Sequence, residues 1–174
     1  CARKSSLKSK NMNLHEYQGK TILKSFGVAI QEGLVADSAE AAHAAALKLA
    51  EKTGTEWFVL KAQIHAGGRG KGIVTETGSH GVVLAKGIDK VKDVASGILG
   101  GHLVTAQTSA EGKLVNKILI AQDVYYPGES ETEEFYVSVL LDRSSGKNII
   151  MYSPEGGMDI EAVAENTPHL IYTE

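Results

Sequence analysis

The chain has 174 residues, which suits one domain or two small lobes and is long enough to bury a core without a disulfide or metal staple. With 43% hydrophobic and 22% charged residues, it is not collagen-like, disordered or membrane-spanning in composition. A formal net charge of -3 argues against a nucleic-acid partner, and the lone Cys1 rules out an internal disulfide.

Residues 1–11 carry Arg3, Lys4, Lys8 and Lys10 and no acid, which predicts a disordered basic tail. An organellar targeting remnant has the same character. Met12 follows as a candidate native start. Asn13 with Glu16 three residues on has the form of a capping box. It opens a helix over 14–26, with Leu14, Tyr17, Ile22 and Phe26 as a rough apolar stripe and Gly27 as the stop. Residues 28–36 read as a strand. Asp37 or Ser38 caps an alanine-rich helix over 39–52 that ends before Gly54.

The short apolar run 57–60 predicts a buried strand that delivers Lys61. A strand over 81–85, a helix over 89–99 (Val91, Val94, Ile98) and a strand over 104–107 follow. Beyond that point the character changes. A strand over 115–124 leads into an acidic, proline-containing loop over 126–134. Strands over 135–142 and 148–152 flank a turn, and a short helix spans 159–165. The order predicts a mixed α/β or α+β chain in two lobes, ending at Glu174 without a closing element.

The segment 61–72 holds four glycines and three cations (Lys61, Arg69, Lys71) in twelve residues. Glycines let backbone amides approach a ligand as an anion nest. Each charge-assisted hydrogen bond contributes about 1.5–3 kcal/mol. The segment is not a Walker A loop, because Gly70-Lys71 is followed by Gly72, and it lacks the dinucleotide fingerprint spacing. Composition alone leaves two readings open, a phosphate grip and a flexible basic surface loop. An RNA-contacting element is weaker, since no aromatics are interleaved. Glu134, at the start of a predicted strand, reads either as a ribose or metal ligand or as a solvated loop charge. The six histidines, His15, His43, His65, His80, His102 and His169, show no metal-ligand spacing.

Five stretches resemble one family in order and in register. They are Met12-Asn-Leu-His-Glu-Tyr-Gln18, Ala66-Gly-Gly-Arg-Gly-Lys71 after a strand ending in Lys61, Asp142-Arg-Ser-Ser145, Glu155-Gly-Gly157, and Ala164-Glu-Asn-Thr-Pro-His-Leu-Ile171. Together they resemble the amino-terminal nucleotide-binding region of the β-subunit of ADP-forming succinate–CoA ligases, from Met12 to the end.

The resemblance implies an α/β (α+β) ATP-grasp fold of two lobes with mixed sheets, truncated before its C-terminal part. Residues 12–30 plus 126–174 would form one lobe and 31–125 the other, the latter carrying the glycine-rich loop. It implies nucleotide binding by Lys61, Gly68, Arg69, Gly70, Ala121, Val124 and Glu134, with Ala121 to Val124 meeting the base through backbone groups and Glu134 on the ribose side. Ala121 stands where some relatives have Glu, and Gln31 lies where nucleotide preference is partly set. Implied further are ATP or GTP, Mg²⁺ held by an Asn and an Asp beyond residue 174, and an α-subunit partner whose histidine is phosphorylated. The implied reaction, a step of the tricarboxylic acid cycle, joins succinate and CoA. No catalytic residue falls in this chain, which would be inactive alone, and no nucleic acid or membrane is involved. The bacterial cytoplasm is the expected compartment, with the mitochondrial matrix as the alternative. A malate–CoA ligase and a non-catalytic nucleotide-binding subunit are the competing readings.

Overall fold

The computed structural model describes residues 13–125, 132–157 and 160–174. The expected tail over 1–11, Met12 and most of the acidic loop lie outside the described residues. The chain divides into two compact units, Cys1–Val124 and Tyr125–Glu174.

The first unit begins with α1 (Glu16–Ser25). Its N-cap is His15 rather than the expected Asn13: the His15 amide donates to Gln18 Oε1 at 2.9 Å, so Gln18, not Glu16, closes the box. Its end is fixed by Gly27 N–H on Lys24 O and Val28 N–H on Leu23 O. The expected strand over 28–36 is therefore confined to β1 (Gly33–Ala36). Helix α2 (Ala39–Thr53) starts where Ser38 Oγ accepts from Ala41 N–H and stops at Gly54. Then come β2 (Trp57–Ala62), β3 (Ile73–Val74), β4 (Val82–Lys86) and α3 (Ile88–Ile98).

Strand β5 (His102–Val104) sits earlier than the expected 104–107. Residues 105–108 are consumed by a turn in which Thr105 N–H donates to Thr108 Oγ1 and Gln107 N–H to Thr105 Oγ1. The expected strand over 115–124 divides into β6 (Lys113–Leu114) and β7 (Ile118–Gln122).

The main sheet is antiparallel in the order β1-β7-β2-β4. Strand β2 alternates. Phe58, Leu60 and Ala62 are buried in a core with Ala42, Ala46 and Leu49 of α2 and Val91, Ala95 and Ile98 of α3. Lys61 falls between buried neighbours and therefore faces away from the two helices, since successive side chains of a strand point to opposite faces. Strand β7 is buried from Ile118 to Ala121, as its position between two neighbours requires.

A smaller sheet, β3-β5-β6, stands beside the glycine-rich segment. Leu103 of this sheet packs so closely on Gly81 that a Cβ there would lie 2.4 Å from Leu103 Cδ2, a contact only glycine permits.

Helix α1 belongs by its contacts to the first unit. The family resemblance instead groups residues 12–30 with 126–174. The grouping differs because Tyr17 N–H donates to Gln63 Oε1 and Glu16 pairs with two side chains of the β2 region.

The second unit is the antiparallel sheet β10-β9-β8, formed by β8 (Tyr136–Asp142), β9 (Lys147–Ser153) and β10 (Tyr172–Thr173), with helix α4 (Ile160–Asn166) and a 3₁₀ turn over Pro168–Leu170. The β8–β9 turn is held by the Asp142 carboxylate, which accepts from the amides of Ser144 and Ser145. The hydrogen bonds from Ser145 and Ser144 hold that carboxyl at about 2. Strand β10 was not expected. It pairs Tyr172 with Tyr152, and the two rings stack at 5.3 Å.

Phe58→Ala should lower the unfolding free energy by about 3–5 kcal/mol in urea denaturation, because it leaves a cavity under both helices. Leu84→Ala, on an exposed rung of β4, should cost less than about 1 kcal/mol.

Candidate functional site

The alternation of β2 presents Lys61 on the face opposite the helices, and α1 sets Glu16 against it. Glu16 Oε1 lies 3.2 Å from Lys61 Nζ and 3.4 Å from Lys20 Nζ, while Oε2 lies 2.9 Å from Arg69 Nη2. The other arm of Arg69 donates to Ala62 O at 2.8 Å. One carboxylate thus holds three cations, and the cluster keeps an excess of two positive charges. Burial by itself would raise the Glu16 carboxyl. The charges of Lys61, Arg69 and Lys20, with the Arg69 hydrogen bond, outweigh it and hold the group at about 2. The Lys20 ammonium is pushed down by burial and by Lys61, against the pull of Glu16.

Sequence reasoning missed Glu16 and Lys20 as site residues. Glu16 read as half of a capping box, and only the approach of α1 to β2 reveals its partners. The i,i+4 spacing of Glu16 and Lys20 was the one local signal.

The glycine-rich segment is folded back on itself. Gly67 N–H donates to Gln107 Oε1 at 2.7 Å, Gly72 N–H to Gly68 O at 3.0 Å and Gly81 N–H to Arg69 O at 3.1 Å. Gly68 adopts φ +70°, the left-handed conformation that makes this turn and suits glycine. Among the described residues, the amides of Gly68, Arg69 and Gly70 donate to no protein acceptor. A Cβ at Gly70 would meet nothing within 4 Å. Such amides beside two cations can take the oxygens of a polyanion. The structure therefore brings Lys61, Gly68, Arg69 and Gly70 together.

The remaining expected residues belong to other elements. Ala121 is a fully buried rung of β7, paired with Gly33 on one side and Val59 on the other. Val124 is exposed at the end of the first unit. Glu134 lies in the second unit, where its carbonyl accepts from Gly156 N–H at 3.1 Å and its carboxylate covers Gly157. Gln31 is held between Lys20 Nζ, at 3.0 Å, and the Gln122 carbonyl, to which its amide donates. It lines a cavity of about 250 Å³ together with Tyr17, Lys20, Lys24, Glu32 and Leu119. Among the described residues, no three His, Cys, Asp or Glu side chains converge to hold a metal ion.

Residues 13–174 match the family described as ATP-grasp domain. The chain is 63% identical over 163 residues to a Flavobacterium johnsoniae protein named succinate–CoA ligase [ADP-forming] subunit beta, covering 94% of this chain and 39% of that one. A Chlorobium limicola protein of the same name is 50% identical over 157 residues, covering 90% and 37%. The chain thus spans about two-fifths of the length of the curated relatives it matches. Among solved structures, a dinucleotide-forming acetyl-coenzyme A synthetase of Ca. Korarchaeum cryptofilum superposes with a TM-score of 0.55 at 16% identity, over 92% of this chain and 59% of that one. That likeness concerns the fold.

Because the folded Glu16 carboxyl lies below its ordinary value of 4.5, its contribution to stability is complete above pH 4.5 and is lost as the pH falls towards 2. Glu16→Gln should destabilise the chain by about 1–2 kcal/mol at pH 7, a figure that allows for solvent screening. In urea denaturation at a series of pH values, the gap between the two proteins should close by pH 2.

Proposed function

The chain belongs to the ATP-grasp family, and from that premise we propose that it forms the nucleotide-holding part of the β-subunit of an ADP-forming succinate–CoA ligase. The full enzyme interconverts succinate, CoA and ATP or GTP with succinyl-CoA, the nucleoside diphosphate and phosphate. The phosphoryl group passes through a histidine of an α-subunit partner, and none of the six histidines here is assigned that role. The observation that carries this reading is the meeting of Lys61 and Arg69 on one carboxylate, with open amides at Gly68 to Gly70 in the segment that carries Arg69, in a chain 63% identical to a protein of that name.

In this reading the work of these residues is positioning and electrostatics, as phosphoryl transfer demands. The Gly68–Gly70 amides and the side chains of Lys61 and Arg69 hold the nucleotide's phosphates and offset the charge that builds on the transferring group. Glu16 keeps the two cations side by side while leaving them net positive. Glu134 takes the ribose hydroxyls, and backbone groups after Ala121, up to Val124, meet the base. Gln31, steered by Lys20, contributes to the choice between ATP and GTP. Mg²⁺ would accompany the nucleotide and neutralise its phosphates. By the family resemblance, the Asn and Asp that would hold it lie beyond residue 174. The bacterial cytoplasm is the compartment this reading carries. Among the described residues no helix is long and apolar enough to cross a membrane.

With full-length β-subunit, α-subunit and γ-labelled ATP or GTP, acid-labile label should appear on the α-subunit, and the preferred nucleotide is the one that labels it faster. Lys61→Ala should slow labelling by about a hundredfold. A folded complex that takes no label from either nucleotide would leave a non-catalytic subunit as the better account. Turnover of malate in preference to succinate would move the assignment to the sister ligase.

A further inference from the structure

A second cavity of the first unit, about 350 Å³ in volume, has a one-sided chemistry. Its wall carries His15, Gln63, His65, Lys113, Asn116 and Lys117, and among the described residues no carboxylate lines it. These residues come from separate places in the chain: the N-cap of α1, the segment leaving β2, strand β6 and the link from β6 to β7. The rings of His15 and His65 stack with centroids 4.0 Å apart and planes at 16°. Lys113 Nζ donates to His65 O at 2.5 Å, which fixes the wall from the other side. Gln63 is internally satisfied, accepting from Tyr17 N–H and donating to Lys61 O.

His15 is not satisfied: its Nδ1 is shut off from solvent and has no hydrogen-bond partner. Burial pushes this imidazole below its ordinary value, and the positive fields of His65, Lys117 and Arg69 push the same way. Tyr17, its neighbour on α1, stacks at 5.9 Å and brings no charge to offset them. The His15 imidazole, among positive groups, takes a proton readily only when a counter-charge joins it. The lysines repel a cation, and among the described residues no carboxylate lines the cavity to ligate one.

We propose that this cavity is a binding site for a doubly charged tetrahedral oxyanion of the phosphate class, held by His15, His65, Lys117 and Asn116 with Lys113 behind them. Donors outnumber the two oxygens of a carboxylate and match the four of a phosphate. The site is separate from the Glu16 cluster and does not rest on the nucleotide reading, since its donors are other side chains. Bound anion supplies the counter-charge that His15 lacks, so binding favours protonation of His15 and tightens as the pH falls.

The test is isothermal titration of the full-length polypeptide with sulfate, whose charge is constant between pH 6 and 8, and with inorganic phosphate. Saturable one-to-one binding is expected, tighter at pH 6 than at pH 8. Lys117→Ala should weaken it about tenfold, the loss of one charge-assisted contact. His15→Asn should flatten the pH dependence, with circular dichroism confirming that α1 is intact. Lys61→Ala should weaken nucleotide binding while leaving in place the sulfate binding that Lys117→Ala weakens, so the two readings fail separately. Displacement of phosphate by ATP but not by ADP would identify a nucleotide's terminal phosphate as the natural occupant. Coexistence with both would identify free phosphate, and either result supports the site if Lys117→Ala weakens it. Absence of saturable binding in folded protein overturns the proposal, as does binding that ignores Lys117→Ala and disappears with Lys61→Ala.

Discussion

One carboxylate joins three parts of the chain. Glu16 belongs to the first helix, Lys61 to an interior strand and Arg69 to the glycine-rich turn, and the Glu16 oxygens lie within ion-pairing distance of both cations. Removing the carboxylate would leave Lys20, Lys61 and Arg69 close together and uncompensated, which is why breaking such a pair costs far more than the pair itself contributes. The arrangement also answers a problem of assembly. Cations gathered to receive a polyanion repel one another while the site is empty, and a resident carboxylate holds them without cancelling their excess charge.

The core makes this placement possible. Phe58, Leu60 and Ala62 are committed to the helical layer, so the residue between the last two must point the other way, and that residue is Lys61. The glycine-rich segment is then held from several sides. Gln107 takes the Gly67 amide, Gly81 bonds the Arg69 carbonyl, and Leu103 presses on Gly81. Amides that are left open within a segment so fixed are pre-organised donors, which lose little freedom when an anion arrives.

The second unit follows a different logic. Its hairpin register is set by the Asp142 turn, and β10 extends the sheet by pairing with β9. Val137, Val139 and Leu141 of β8 are exposed along one face. Glu134 enters this unit next to Gly156 and Gly157, and a Cβ at Gly156 would lie 2.3 Å from the Glu134 backbone carbonyl carbon, so this close approach of two backbones needs glycine.

Local signals in the sequence determined the long elements. Apolar spacing, Ser38 and Gly54 mark α2, and the run from Trp57 marks β2, because caps and periodicity act within a few residues. The glycine-rich segment and its cations were legible for the same reason, as was the family to which the motifs point. The short strands β3, β6 and β10 were not, since two-residue strands are made by their partners and leave no pattern of their own. The turn over 105–108 displaced a strand that composition alone could not place. Above all, only the tertiary structure decided what Glu16 and His15 face. A carboxylate in a first helical turn reads as a cap, and a histidine beside it as a polar N-terminus, until the helix docks. Ion pairs and cavities are long-range properties, set by which faces the core buries, and no spacing along the chain records them.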